Sequence, residues 1–328
     1  MFRLIGHYLR LCAIFPVLIQ NYWIARDILK FTNKTLKLKH PDRLHQFKVY
    51  KKRLYFYAVF SFFTDLFISL SHYHFTKRDK IDFILIHFCT PIIDDLCDDY
   101  GFTEAQINDL IFKNIYPEME VIPIQVIIAQ ILYPKINKLL IKNPSLIPQI
   151  ESVIYWQFES IKPKELSLVY AKEVTFNKSA LSMLMFWDVL MPQKLKGNEH
   201  KLFSQCAFLI QFTDDVVDAE KDLLTDSFTI VTQSEDSGQL INFYNSEINQ
   251  LKDYLNVIDW RLKDKKYFLF CIHLLVAHAQ MRFDALENNI HQPLKEAILA
   301  KKMSPDLAKL KNIWIYYKTF IRLNKEYK

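Results

Sequence analysis

Apolar residues recur along this chain at helical spacing, and polar interruptions are confined to a few short segments. Residues 1–35 read as a helix, and the basic, polar stretch 36–50 around Pro41 reads as a connection. Residues 55–75 (YFYAVFSFFTDLFISLSHYHF) read as one aromatic helix, and Thr76 is a candidate N-cap for the next. The segment FILIHFCTPIIDDLCDDY ends just before Gly101, a fitting C-cap, and Thr103 with Gln106 fits a capping box. Pro91 either kinks one long helix or starts a new one after Thr90. Residues 103–142 hold one or two helices interrupted near Pro117, Pro123 and Pro134. Pro144 and Pro148 mark a bend before a helix at 149–160, and Pro163 precedes a long segment through Met191. Residues 192–199, with Gly197, read as a loop, and 201–224 as a strong helix. After a polar break at 225–238, helices are predicted over 239–260, 264–288, 293–302 and 305–324. No strand-turn-strand series or internal repeat is evident. The pattern predicts one all-α domain spanning 50–328, with residues 1–49 as a helical extension packed on it.

Composition supports long helices with short connections, since 328 residues include only 4 Gly but 26 Phe and 17 Tyr. The aromatics suit an ordinary core or the wall of an apolar cavity, and composition leaves both open. The formal charge of +6 is dispersed. Lys37, Lys39, Lys48, Lys51, Lys52 and Arg53 form the nearest approach to a basic patch. No finger, glycine-rich RNA motif or aromatic–basic repeat accompanies it, which argues against nucleic acid as partner. An anionic substrate and a membrane surface remain. Five scattered cysteines without metal-site spacing suggest free thiols in a reducing, cytoplasmic setting. Leu11 to Ile19 is apolar but too short to span a bilayer, and the small-residue cleavage pattern of a signal peptide is missing. An amphipathic helix resting on the body or on a membrane surface is expected there. Monomer and homodimer stay open.

Two acidic runs inside apolar helical stretches carry the chemistry. Asp214, Asp218 and Asp222 recur every four residues, so a continuous helix puts all three on one face. Like charges at that spacing repel, and the preceding CAFLIQFT suggests burial. A cation supplies the compensation, and Mg²⁺ suits carboxylate oxygen, water and phosphate. Asp215 points about 100° away from Asp214 and is a weaker ligand candidate. Gln211, one turn earlier, is placed to orient water or substrate. A solvated acidic face balanced by Lys221 is the alternative. In the first run, Asp94, Asp95, Asp98 and Asp99 sit at three- and four-residue spacings. If that helix ends at Gly101, its dipole opposes them and a cation is more strongly implied; if Pro91 starts it, the dipole favours them.

Together the runs suggest two opposed acidic helices holding two or three Mg²⁺ ions and a diphosphate. The metals would stabilise negative charge as a carbon–oxygen bond breaks, and the resulting carbocation needs a dry cavity. Tyr55, Phe56, Tyr57, Phe60, Phe62, Phe63 and Phe67 are candidate lining residues, able to act through cation–π attraction, or else plain core.

At these residues the chain resembles the class I isoprenoid synthases: terpene cyclases, prenyltransferases and squalene/phytoene synthases. DDLCD at 94–98 fits the DDxxD pattern of that superfamily, and QFTDDVVDAEKD at 211–222 is similar to its second metal motif. The resemblance implies an all-α fold around a central apolar cavity, with Asp94, Asp95, Asp98, Asp214, Asp218 and Asp222 as catalytic metal ligands. It also implies a prenyl diphosphate substrate. Gln211, Asp214, Asp218 and Asp222 match the four-residue recurrence, with a preceding glutamine, of squalene/phytoene synthases. The arginine pair of chain-elongating enzymes is missing after the first motif. The arginine preceding that motif in squalene/phytoene synthases is missing too. The resemblance therefore favours a terpene cyclase, with head-to-head condensation as the alternative. Lys178 and Ser179 are similar to a diphosphate-contacting element of prenyltransferases, which makes Lys178 a substrate-binding candidate beside Gln211, Lys221 and Arg322. Lys172 and Arg282 are weaker candidates.

The histidines form no catalytic set. His72 and His74 are two apart and diverge on a helix. His87 is placed to face a cavity, and His273 and His278 read as core. A non-catalytic helical scaffold is the rival class, and it predicts carboxylates facing solvent or basic partners.

Overall fold

The computed structural model describes residues 2–70, 76–161, 167–191, 195–287, 293–300 and 310–326, and every regular element among them is helical. The chain divides into two compact units: Met1–Phe158 with Met185–Lys194, and Glu159–Leu184 with Leu195–Lys328.

The first unit contains α1 (Phe2–Lys39), a 3₁₀ turn (Pro41–Arg43), α2 (Leu44–Phe60), α3 (Phe62–Leu70) and α4 (Lys77–Asp98). These are followed by α5 (Glu104–Asn108), a π turn (Asp109–Lys113), α6 (Ile124–Lys142) and most of α7 (Leu146–Ile161). Helix α1 packs on α2 and α4, and α4 packs on α6. The expected connection at 36–50 is largely helix. Phe47, Tyr50, Leu54 and Ala58 form a buried stripe that the surrounding lysines disguise. The aromatic stretch after Tyr55 is interrupted at Ser61, whose hydroxyl donates to the Ala58 carbonyl at 2.6 Å. Residues 71–75, and with them His72 and His74, lie outside the described residues.

A buried polar cluster holds α1, α3 and α4 together. Lys80 pairs with Asp65, both nearly inaccessible. The Asn21 amide donates to Asp65 Oδ2 at 2.6 Å and to the Ser61 hydroxyl at 3.0 Å. Burying both charges is tolerated because each oxygen of Asp65 has a donor.

Helix α4 opens on the Thr76 cap, in a reciprocal box with Asp79, and runs straight through Pro91. Gly101, at φ +63°, ends the segment, and the Phe102 N–H returns to the Leu96 carbonyl at 3.0 Å. The Thr103–Gln106 box then starts α5. Of the two readings of Pro91, the continuous helix is therefore the observed one, and the first acidic run lies at its C-terminal end. Pro134 likewise sits inside α6. That helix is long and apolar enough to cross a membrane by length and composition, yet 56% of its most apolar stretch is buried inside the protein, as in a core helix.

The second unit takes most of α8 (Leu168–Leu190), then α9 (Gly197–Val217), α10 (Ala219–Leu224), α11 (Ser237–Val257), α12 (Leu262–Glu287), α13 (Leu294–Leu299) and α14 (Leu310–Glu326). Helices α9, α11 and α12 pack on one another, and α12 packs on α14. The Tyr244 ring lies 5.0 Å from Phe212 and 5.1 Å from Phe283, and its hydroxyl meets that of Thr213 at 2.6 Å. Gly197, expected in a loop, is the first residue of α9. The single helix expected over 201–224 is broken at Asp218, although backbone bonds from Asp218 to Asp214 (2.8 Å) and Asp222 to Asp218 (2.9 Å) bridge the break.

Candidate functional site

The first acidic run occupies the last turn of α4. Its carboxylates lie at the negative end of the helix dipole, so local structure disfavours them, although the Asp99 and Phe102 N–H groups satisfy the Asp95 and Leu96 carbonyls. The protein answers at each position separately. Asp95 is buried, and Arg53 Nη2 from α2 approaches its Oδ1 at 2.8 Å. The Gln125 amide of α6 donates to Asp95 Oδ2 at 3.3 Å. Burial pushes Asp95 above the usual carboxylate range, and the Arg53 charge and the Gln125 hydrogen bond pull it back. Asp98 is exposed and accepts from the Gln157 amide of α7 at 3.2 Å.

Asp94, half-buried, turns to a different surface. It lines a recess within the first unit with Ile86, Cys89, Ile93, Ile136, Met185 and Gln157. The recess is small, with a cavity volume of about 20 Å³. Its walls are aliphatic and sulfur-bearing, and among the described residues none of the aromatics expected as lining residues borders it. Phe62, Phe63 and Phe67 are buried in the core instead, Tyr55 stacks on Tyr22, and Phe56 faces solvent. The side chain of Phe60 lies outside the described residues. His87 is also core: it stacks on Phe186 with centroids 3.6 Å apart, and burial pulls its imidazole down to about 3.

The second run spans the end of α9 and all of α10. Asp214 is exposed, Asp218 and Asp222 are half-buried, and Asp215 is buried. The break at Asp218 divides α9 from α10, yet the backbone bonds bridge it and the charges of Asp218 and Asp214 both act on Asp222. Asp215, the weaker candidate from spacing, is the most enclosed carboxylate. Gln211 donates to its Oδ1 at 3.0 Å, while its Oδ2 has no hydrogen-bond partner among the described residues. Burial pushes Asp215 up to about 8, with the Gln211 hydrogen bond opposing and the charges of Asp222 and Asp214 adding to it. Burial and the neighbouring Asp218 push Asp222 up to about 7.

Two basic side chains of the same unit act on this run. Lys178, from α8, lies close enough to lower both Asp215 and Asp222. Arg282, buried on α12, interacts with Asp218. Spacing along the chain carries no signal for either pairing, because each partner comes from another helix. Lys221 is exposed and also lowers Asp222. Arg322 is engaged elsewhere, in a two-point ion pair with Asp284 of α12 at 2.9 and 3.1 Å. Lys172 lies over the Phe243 ring at 3.4 Å.

The donors suit a hard cation, since they are carboxylate oxygens with no thiolate or imidazole among them. Among the described residues, no group of three or more His, Cys, Asp or Glu side chains is gathered as a metal site. Arg53, Gln125 and Gln157 hold Asp95 and Asp98 in separate contacts. Mg²⁺ commonly takes only one or two protein carboxylates and completes its shell with water and phosphate oxygens. Each run fits that smaller share.

No protein-family model matches this chain, and no curated protein matches it. Among solved structures, it is similar to the crystal structure of a dehydrosqualene synthase in complex with ligand. The match has 10% sequence identity, covers 93% of this chain and 99% of the other, and has a TM-score of 0.45.

Proposed function

We propose that this protein ionises a prenyl diphosphate in a Mg²⁺-dependent reaction, with head-to-head condensation of two such substrates preferred over cyclisation of one. The observation that carries the reading is Asp94, an aspartate of the first acidic run that also lines an aliphatic recess. A substrate with a charged head and a hydrocarbon tail needs both chemistries side by side. The preference for condensation follows from the recurrence of Gln211, Asp214, Asp218 and Asp222, which resembles that of squalene/phytoene synthases.

In this reading Mg²⁺, when bound, offsets the charge that grows on diphosphate as the carbon–oxygen bond breaks. Its proposed protein ligands are Asp94 and Asp98 in the first unit and, taken separately, Asp214, Asp218 and Asp222 in the second. Gln211 fixes the orientation of Asp215. Lys178 supplies a fixed positive charge beside Asp215 and Asp222, suited to a diphosphate oxygen. The aliphatic side chains beside Asp94 suit the hydrocarbon end of the substrate.

A non-catalytic scaffold has specific support as a second reading: Arg53 already neutralises Asp95, and Arg282 faces Asp218. Diphosphate release from C10, C15 and C20 allylic diphosphates, with Mg²⁺ and with EDTA, separates the two. The catalytic reading requires Mg²⁺-dependent release that Asp94→Ala and Asp214→Ala each abolish, and the scaffold reading requires none.

A further inference from the structure

Helix α1 has two faces of different use. Ile14, Ile24, Ala25, Ile28, Leu29 and Leu36 are buried and carry its packing. On the opposite side, Phe15, Ile19 and Trp23 are 57%, 52% and 46% exposed. Packing of the first unit does not account for an outward apolar stripe on a helix already anchored by its other side. The same stripe changes character toward the helix end, where Lys30, Lys34 and Lys37 are exposed. At about 100° per residue, these three apolar and three basic positions fall within roughly 100° of arc. Arg26 lies between the two halves, with its guanidinium 3.6 Å from the Trp23 ring centre.

From this arrangement we infer that the outward face of α1 docks on an anionic lipid surface. Phe15, Ile19 and Trp23 enter the boundary between headgroups and acyl chains, and Lys30, Lys34 and Lys37 meet anionic headgroups. Lysine selects the partner: a parallel second copy would oppose like charges and an antiparallel one would set the lysines against Phe15 and Ile19, whereas an anionic bilayer offers both the apolar layer and the opposite charge. The inference is independent of the catalytic reading and rests on α1 alone.

The test uses the full chain and co-sedimentation with vesicles of phosphatidylcholine alone or with one third phosphatidylglycerol. Binding is expected to the anionic vesicles, with a decline as salt is raised. The variant K30Q/K34Q/K37Q should lower partitioning by on the order of a hundredfold, at roughly a factor of five for each charge. Ile19→Asp with Trp23→Asp should abolish it, with helical circular dichroism and thermal midpoint preserved, because both sites face solvent. Equal binding to the two vesicle types, no binding, or binding that survives both variants would overturn the inference. So would light scattering that shows a stable dimer dissociated by the Ile19/Trp23 variant, since that would assign the face to self-association.

Discussion

Arg53 Nη2 lies 2.8 Å from Asp95 Oδ1, which joins the middle of α2 to the acidic end of α4. Asp95 is buried and Arg53 is half-exposed, so losing the arginine leaves a carboxylate without its cation in a poorly solvated place. Arg53→Gln should destabilise the fold by about 1–3 kcal/mol, read from urea unfolding. Adding Asp95→Asn should restore part of that loss, because the stranded charge disappears. An additive double variant would show that the pair is not coupled.

The carboxylates of the second run predict a pH dependence. Asp215 and Asp222 are pushed up to about 8 and about 7. The folded protein holds these protons where the unfolded chain, titrating near pH 4, has released them. Their contribution to stability is thus full below about pH 4 and is lost as pH rises through 7 and 8. Buried His87 and His273 and half-buried His278, pulled down to about 3, 4 and 4, act in the opposite sense on the acid side. Comparison with Asp215→Asn isolates the effect: wild type should lose thermal midpoint relative to the variant between about pH 4 and 8 and run parallel to it above that. Midpoint curves parallel throughout would contradict the burial of Asp215.

Mg²⁺ should act on the same groups. A cation that binds only the folded carboxylates raises stability by mass action, about 2.7 kcal/mol at a hundredfold excess over its dissociation constant. The rise in midpoint should be larger at pH 8.5 than at pH 6, where protons compete for Asp222, and Asp218→Asn or Asp222→Asn should reduce it. Calorimetric scans with and without Mg²⁺ check this.

At the end of α4, Gly101 adopts φ +63°, and a Cβ placed there meets no heavy atom within 4 Å. Gly101→Ala should therefore cost about 1–2 kcal/mol from backbone conformation alone. Gly101→Asn, more tolerant of the left-handed region, should cost less. Equal losses for both variants would point to something other than conformation.

What the sequence made legible was whatever depends on near neighbours in the chain. The helical class, the Thr76, Gly101 and Thr103 signals and the acidic ends of two helices follow from local spacing and match the structure. Helix α2 was hidden at its start because lysines mask the Phe47–Tyr50–Leu54 stripe. The break at Asp218 carries no Pro or Gly to announce it. The partners of the carboxylates were out of reach, since Arg53, Gln125 and Gln157 arrive from other helices. Lys178 was singled out by resemblance alone, and only the fold brings it beside Asp215 and Asp222.

The central claim is Mg²⁺-dependent ionisation of a prenyl diphosphate, and diphosphate release with product extraction tests it most directly. The account predicts release from at least one of the C10, C15 and C20 allylic diphosphates, abolished by EDTA and by Asp94→Ala or Asp214→Ala. It also predicts a product with a doubled carbon skeleton. A monomeric product would keep the ionisation and replace condensation with cyclisation. No release from any of the three by folded protein, or release that persists in both aspartate variants, would contradict it.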